Sequence, residues 1–256
     1  MKKNNITFAC LFLTVILTPI LSFAIGPVSG SNDAYEYLFG GSDLSKVSAG
    51  FYTKQRVVEV SAAGMSGIKT PYEMTLKKTG GYVGYDIARW ATLYGTVAMT
   101  DTKLSVASFD YPGFFEEFNG GDNEIGIGIA MNLLDHDIAD PTLAEDKIRI
   151  NAILEYTKSE SDWLYANDVI RWDELYGSLV FSLVNEIHGA KNMWVHAIAF
   201  YAGPCFSQIR SSSIDHDGDY GYVGGFTVYF SQTLSFDVGY ERLAEGGYSF
   251  GANVRF

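Results

Sequence analysis

The densest group of chemistry-bearing residues in this sequence is Asp215-His216-Asp217-Gly218-Asp219. Asp215, Asp217 and Asp219 set hard oxygen ligands two residues apart around a glycine, the spacing of half a calcium loop. A Ca2+ ion is the metal such a loop would take, and the sequence implies no other cofactor. The glutamate that completes an EF-hand does not follow at its distance, so a solvated turn is the favoured reading. The same stretch sets an imidazole next to a carboxylate. In an extended chain, neighbouring side chains point to opposite faces, whereas a base and the carboxylate that orients it must point together. His196 lies in the apolar run Trp194-Val195-His196-Ala197-Ile198 and reads as a buried, hydrogen-bonded side chain. His136 and His188 fall in connections and read as surface residues. The glycine pairs Gly120-Gly121 and Gly246-Gly247 precede no helix and no phosphate-binding lysine, so they read as loop glycines.

Whatever positions these residues is built from alternation with period two. Tyr248, Phe250, Ala252, Val254 and Phe256 alternate with Ser249, Gly251, Asn253 and Arg255. Leu234, Phe236, Val238 and Tyr240 alternate with Ser235, Asp237, Gly239 and Glu241. The same holds for Ile148 to Tyr156 against Lys147 to Glu155, and for Ile125 to Met131 against Gly126 to Asn132. One face of each strand is as apolar as lipid, and the other mixes small, polar and charged residues. That division suits the wall of a transmembrane barrel better than a shared soluble core.

The N-terminus has the order of a signal peptide: Lys2 and Lys3, an apolar run from Ile6 to Leu21, then Ser22-Phe23-Ala24, with cleavage expected after Ala24. A retained anchor is disfavoured because Pro19 interrupts the run. Thr7-Phe8-Ala9 makes a poor lipobox for Cys10, and without the signal Cys205 is the only cysteine, so no intramolecular disulfide is expected. The formal charge of -12 falls to 16 - 30 = -14 once Lys2 and Lys3 are removed, which argues against nucleic acid as a partner. An acidic balance is compatible with a membrane barrel, whose acids sit in loops and lumen.

About ten strands are expected, in a range of eight to twelve: 44–60, 71–88, 92–109, 123–133, 147–159, 173–187, 193–211, 220–230, 233–242 and 247–256. The all-β fold this implies is an antiparallel up-and-down transmembrane barrel over 44–256, after a signal peptide at 1–24 and a short periplasmic segment at 25–43. Short links at 89–91, 188–192 and 231–232 alternate with longer polar ones near 61–70, 110–122, 160–172 and 212–219, the asymmetry of periplasmic turns and outside loops. The link from Leu134 to Asp146 is too long for this scheme. Tyr72, Tyr82, Trp90, Tyr94, Trp172, Tyr176, Trp194, Tyr220, Tyr222 and Tyr248 lie near strand ends, where aromatic girdles form. In Gly80-Gly81-Tyr82-Val83-Gly84-Tyr85-Asp86, glycines alternate with tyrosines as they do when a glycine makes room for a facing ring.

The last strand, ending in Val254-Arg255-Phe256, resembles the C-terminal signal of bacterial outer-membrane β-barrels. The resemblance implies recognition of Tyr248, Phe250, Val254 and Phe256 by the barrel-assembly machinery, passage by periplasmic chaperones, and residence among outer-membrane lipid. It implies location and fold and is nearly silent on activity. Two enzyme families of that superfamily invite comparison. Omptin proteases use an Asp-His pair facing an Asp-Asp pair. Asp215 and His216 are adjacent here, and no facing Asp-x-Asp occurs in the early loops. Lipid A deacylases pair a lumenal histidine with a serine two residues on, and the matching position after His196 is Ile198.

Glu73, Lys77, Asp86, Arg149, Glu155, Asp237, Glu241 and Arg255 are expected on inner faces as a network of paired charges. In a barrel of this size such pairs would largely fill the interior. The favoured expectation is therefore a non-enzymatic outer-membrane barrel with a structural or surface-interaction role. A porin-like narrow diffusion channel is the alternative, and an enzyme acting on lipid or peptide comes third.

Overall fold

The computed structural model describes residues 46–62, 72–106, 115–138, 146–163, 168–186, 195–211, 214–215, 218–231, 233–243 and 245–256. The predicted signal peptide and periplasmic segment lie outside the described residues, as do His188, His216 and Asp217. The elements, in chain order, are β1 (Val47–Ala62), β2 (Tyr72–Ala88), β3 (Ala91–Val106), β4 (Phe115–Ile138), β5 (Asp146–Trp163), β6 (Asp168–Glu186), β7 (Ala197–Ser211), β8 (Ile214–Asp215), β9 (Asp219–Tyr229), β10 (Leu234–Arg242) and β11 (Gly246–Arg255).

Neighbours run in the order β10-β11-β1-β2-β3-β4-β5-β6-β7-β9, which makes ten wall strands, all paired antiparallel. The β9–β10 hairpin joins the two ends of that order. The Phe230 amide donates to the Leu234 carbonyl (3.0 Å), Thr227 Oγ1 donates to Asp237 Oδ2 (2.9 Å), and the rings of Tyr222 and Tyr240 lie 6.2 Å apart. The wall is a closed antiparallel barrel, and closure removes the unpaired edges that lipid could not solvate.

Strand length is uneven, and that shapes everything above the membrane. β10 and β11, at 9 and 10 residues, match one tilted crossing of about 9–11 residues, whereas β4 has 24 and β6 has 19. The surplus lies at the end away from the termini. There β4 pairs with β3 through Phe115, and β5 with β6 through Trp163 and Asp168. At the other end β4 continues past a register shift at Asn132/Leu134 to pair Ile138 with Asp146, so Leu134 to Ile138, expected in a long link, are strand.

The outward face changes character at one level around these long strands. Below it Val83, Val97, Ile125, Ile127, Leu179 and Phe181 are exposed, the apolar band a bilayer requires. Above it Lys77, Asp101, Lys103, Lys158 and Arg171 are exposed on the same face. The interior changes in the opposite sense. Below the level the inward residues are largely polar or small; above it they include Val58, Val60, Met74, Leu76, Ile170, Trp172 and Ile209, packed as one apolar cluster. Apolar-out in lipid and apolar-in in water are the same rule in two solvents. Because β10 and β11 stop short, the upper edge of β1 is met by β8, whose Asp215 and Ile214 pair with Ser61 and Ala62.

Inside the membrane section, glycines make room for lumenal rings. Gly50 is paired with Tyr82, Gly128 with Tyr94, and Gly225 with Tyr201, and a Cβ at each glycine would overlap the facing ring. Gly128→Val is expected to displace Tyr94 from its place beside Glu155. The cost should be about 1–3 kcal/mol, as overpacking usually is, read as a lower urea midpoint of the folded barrel. An unchanged midpoint would mean that the ring has room elsewhere.

Candidate functional site

The lumen is crossed by ion pairs at the level where the outer face turns polar. Lys78 Nζ lies 2.5 Å from Glu124 Oε2 and 3.0 Å from Glu174 Oε2. The other Glu174 oxygen pairs with the Arg56 guanidinium and accepts from Ser207 Oγ (2.9 Å). Ser159 Oγ donates to Glu124 Oε2 (2.5 Å). In the order of the wall, β1 and β6 stand five places apart among ten, so the Arg56–Glu174 pair spans the barrel from one side to the other. Lys54 also crosses, with Nζ 4.0 Å from the centre of the Tyr176 ring and 3.2 Å from Glu241 Oε2. Lys54, Arg56 and Lys78 are thus matched by Glu124, Glu174 and Glu241, and all six are at least nine-tenths buried. Charges this deep persist only when paired.

Directly above this layer sits the apolar cluster of β1, β2, β6 and β7. Below it, a mid-barrel layer that includes Tyr52, Tyr82, Tyr94 and Tyr176 occupies the lumen, with Tyr201 packed against it. Tyr82 donates to Asn253 Oδ1 (2.7 Å), Tyr94 to Glu155 Oε2 (3.2 Å) and Tyr201 to Asp237 Oδ1 (3.1 Å). Nearest the termini, Arg255 pairs with Asp86, which also accepts from Thr92 Oγ1 (2.5 Å), and Arg149 Nε donates to Asp135 Oδ2 (3.0 Å). Between the mid-barrel layer and this end, the wall of β5, β6, β7 and β9 is hollowed into a cavity.

Of the residues expected in a lumenal charge network, Asp86, Arg149, Asp237, Glu241 and Arg255 face inward and are buried, and Glu155 is half-buried. They belong to separate groups at different depths. Glu73 and Lys77 require correction: they lie on the outer face above the apolar band, Lys77 exposed and Glu73 partly so, and the inward position is Lys78. Charge marks the lumen only within the hydrocarbon; above it, charge faces water. Strand parity alone also separates 73 and 77 from Asp86.

Lys54, Arg56, Lys78, Glu124 and Glu174 are the central charges that inspection of the sequence missed. Glu124 was within reach, since it shares a face with Gly126 and Gly128, both assigned inward. The expected aromatic girdle needs correction as well. Trp90, Tyr220, Tyr222 and Tyr248 are exposed, but Tyr82, Tyr94, Trp172 and Tyr176 are inside the barrel; Trp194 and the Tyr72 side chain lie outside the described residues. His196 is exposed just before β7, not buried, and shares a face with Ile198 and Phe200. His136 is exposed, within β4 rather than in a connection.

Tyr248, Phe250, Val254 and Phe256 point outward from the closing strand. Asp219 opens β9 after Gly218, whose φ of 90° makes the turn, and the Asp215 side chain and Asp217 lie outside the described residues. Among the described residues no group of three His, Cys, Asp or Glu could hold a metal ion. Cys205 is buried and unbridged.

A closed ten-strand wall, apolar outside and polar within, has the architecture of a transmembrane β-barrel. Its sequence matches no protein-family model and no curated protein. Among solved structures it is similar to the translocator domain of the autotransporter NalP from Neisseria meningitidis, at 10% identity over 88% of this chain and 93% of that one, with a TM-score of 0.36. It is also similar to the β domain of the Bordetella autotransporter BrkA (13% identity, 84% and 99% covered, TM-score 0.39) and to an outer membrane channel from Pseudomonas putida F1 (8%, 84% and 95%, TM-score 0.33). At these identities the likeness is one of fold.

Proposed function

We propose that this protein is a non-conducting barrel of the outer membrane with a structural or surface-interaction role, exported by its signal peptide and carrying a water-exposed β extension on a sealed lumen. The observation that supports this reading above all is the Arg56–Glu174–Lys78–Glu124 layer, which joins opposite walls with the apolar cluster directly above it. A water path through the barrel would have to pass both, breaking paired charges in a site of low polarizability. No enzymatic role is attached to it. His196 faces outward beside Ile198. A narrow diffusion channel is the second reading, favoured by the cavity in the lower half of the lumen.

Planar-bilayer recording of the refolded protein separates the two, after a heat-modifiable gel shift has shown that the preparation is folded barrel. The expected result is no step conductance from the wild-type protein. Reproducible steps would replace the sealed reading with the channel.

A further inference from the structure

One seam of the wall is held differently from the rest. From β10 through β11 and β1 round to β7 and β9, neighbours share antiparallel ladders, and even the seam between β1 and β11 carries eight paired residues, Ser48↔Arg255 to Gln55↔Tyr248. Among the described residues, β9 and β10, whose contact completes the ring, share no ladder. They are held by their turn, where the Phe230 and Ser231 amides donate to the Leu234 carbonyl (3.0 and 3.3 Å), and by side chains. Inside, Thr227 of β9 and Tyr201 of β7 donate to opposite carboxylate oxygens of Asp237 on β10 (2.9 and 3.1 Å). Outside, Tyr222 lies against Tyr240 and Phe230 against Phe236, with ring centres 6.2 and 5.4 Å apart. Gly221 and Gly225 let the two backbones come this close, since a Cβ on either would meet a carbonyl oxygen of β10.

From this arrangement we infer that β9 and β10 part as a lateral gate between the lower lumen and the bilayer, with Asp237 as its latch and the turn from Phe230 to Leu234 as its hinge. In hydrocarbon a ladder protects a seam, because every backbone bond broken there leaves two polar groups with no water to replace their partner. Parting β9 from β10 breaks side-chain contacts and no ladder, so this seam opens at the lowest cost in the wall. Asp237 suits the latch because it ties β7, β9 and β10 together through two hydrogen bonds. Behind the seam the lumen is hollow, with Tyr201, Thr227 and Tyr229 among the residues that line the cavity. The opening lies beside Phe226 and Val238 on the apolar band, so the molecules it passes are those dissolved in the bilayer. The gate goes beyond the sealed-lumen reading and is compatible with it, because the ion layer closes the axis and the gate opens sideways.

The test is amide hydrogen exchange, read by mass spectrometry on the folded wild-type protein in lipid nanodiscs. Amides in 220–228 and 235–241 are expected to exchange at least about tenfold faster than those in 81–86 of β2 and 92–97 of β3, which share a ladder. Tyr222→Cys with Tyr240→Cys, in a Cys205→Ser background, sets two thiols across the outer side of the seam. Bridging them with a short bis-maleimide should slow exchange in both strands at least about tenfold relative to the same protein unbridged, which a gap that never moves would not show. Thr227→Val removes one latch bond and keeps the shape of the side chain. It should speed exchange in β9 and β10 several-fold and leave β2 and β3 unchanged. Equal rates at the two seams of the wild-type protein, or no slowing on bridging, would overturn the proposal. Conductance is a separate readout, so failure here is distinguishable from failure of the sealed-lumen reading.

Discussion

Glu174→Gln is expected to lower the stability of the folded barrel by about 3–5 kcal/mol, the range for removing one partner from a buried ion pair. The glutamine side chain keeps the volume and can still accept from Ser207. What it loses is the charge that holds Arg56 from β1 and Lys78 from β2. Three buried cations would then share Glu124 and Glu241, and the charge that is left over must draw in water or force the wall apart. The measurement is the urea midpoint of the refolded protein, read by heat-modifiable mobility. Arg56→Gln alone should cost a similar amount for the mirror-image reason. The double variant should recover most of the loss, since Lys78 and Glu124 remain paired at 2.5 Å. Recovery is the decisive feature, because a merely steric defect would grow when a second residue is changed. A single variant within 1 kcal/mol of wild type, about the worth of an exposed pair, would mean that the layer is already wet.

Trp172→Ala is expected to cost about 3–5 kcal/mol as well, for a different reason. Trp172 is 2% exposed and lies in the apolar cluster above the membrane level. Truncation removes a large buried side chain and leaves a cavity that four strands cannot collapse around. Val97→Ala on the lipid face, where Val97 is 63% exposed, should cost far less, because acyl chains move in where no packed protein surrounds the side chain. The contrast tests the inversion of polarity directly. Equal losses at both positions would show that the upper interior is not a packed core. In the Trp172→Ala protein, hydrogen exchange should also rise first in the upper parts of β1, β2 and β6, before the membrane section is affected.

The membrane section was legible in the sequence to a good depth. Leu234 to Tyr240, Tyr248 to Phe256, Ile148 to Tyr156 and Ile125 to Met131 all present the face that their alternation predicts. This works because lipid on one side and a polar lumen on the other leave each strand no choice of phase, and a slip of one residue would put every side chain in the wrong medium. The count of ten strands follows from the same signal. Glu73 and Lys77 went astray because the same rule was carried past the membrane level. Tyr82, Tyr94, Trp172 and Tyr176 went astray because a tyrosine or tryptophan suits either face, and only parity within the strand separates a girdle from a lumen.

The sequence by itself determined that this chain forms a wall of alternating strands with its apolar face toward lipid, since period and polarity are local properties that each strand carries alone. Tertiary structure decided which charges meet. Arg56 and Glu174 are more than a hundred residues apart, on strands that are not paired through their backbones, and they become partners only because ten strands close and bring opposite walls within reach. The seal has the same origin. Val58, Leu76, Trp172 and Ile209 come from four strands, and their cluster exists because β1, β2, β6 and β7 all continue above the membrane level and face one another there. Depth and distance across a lumen depend on closure and stagger, which belong to the barrel as a whole and to none of its strands.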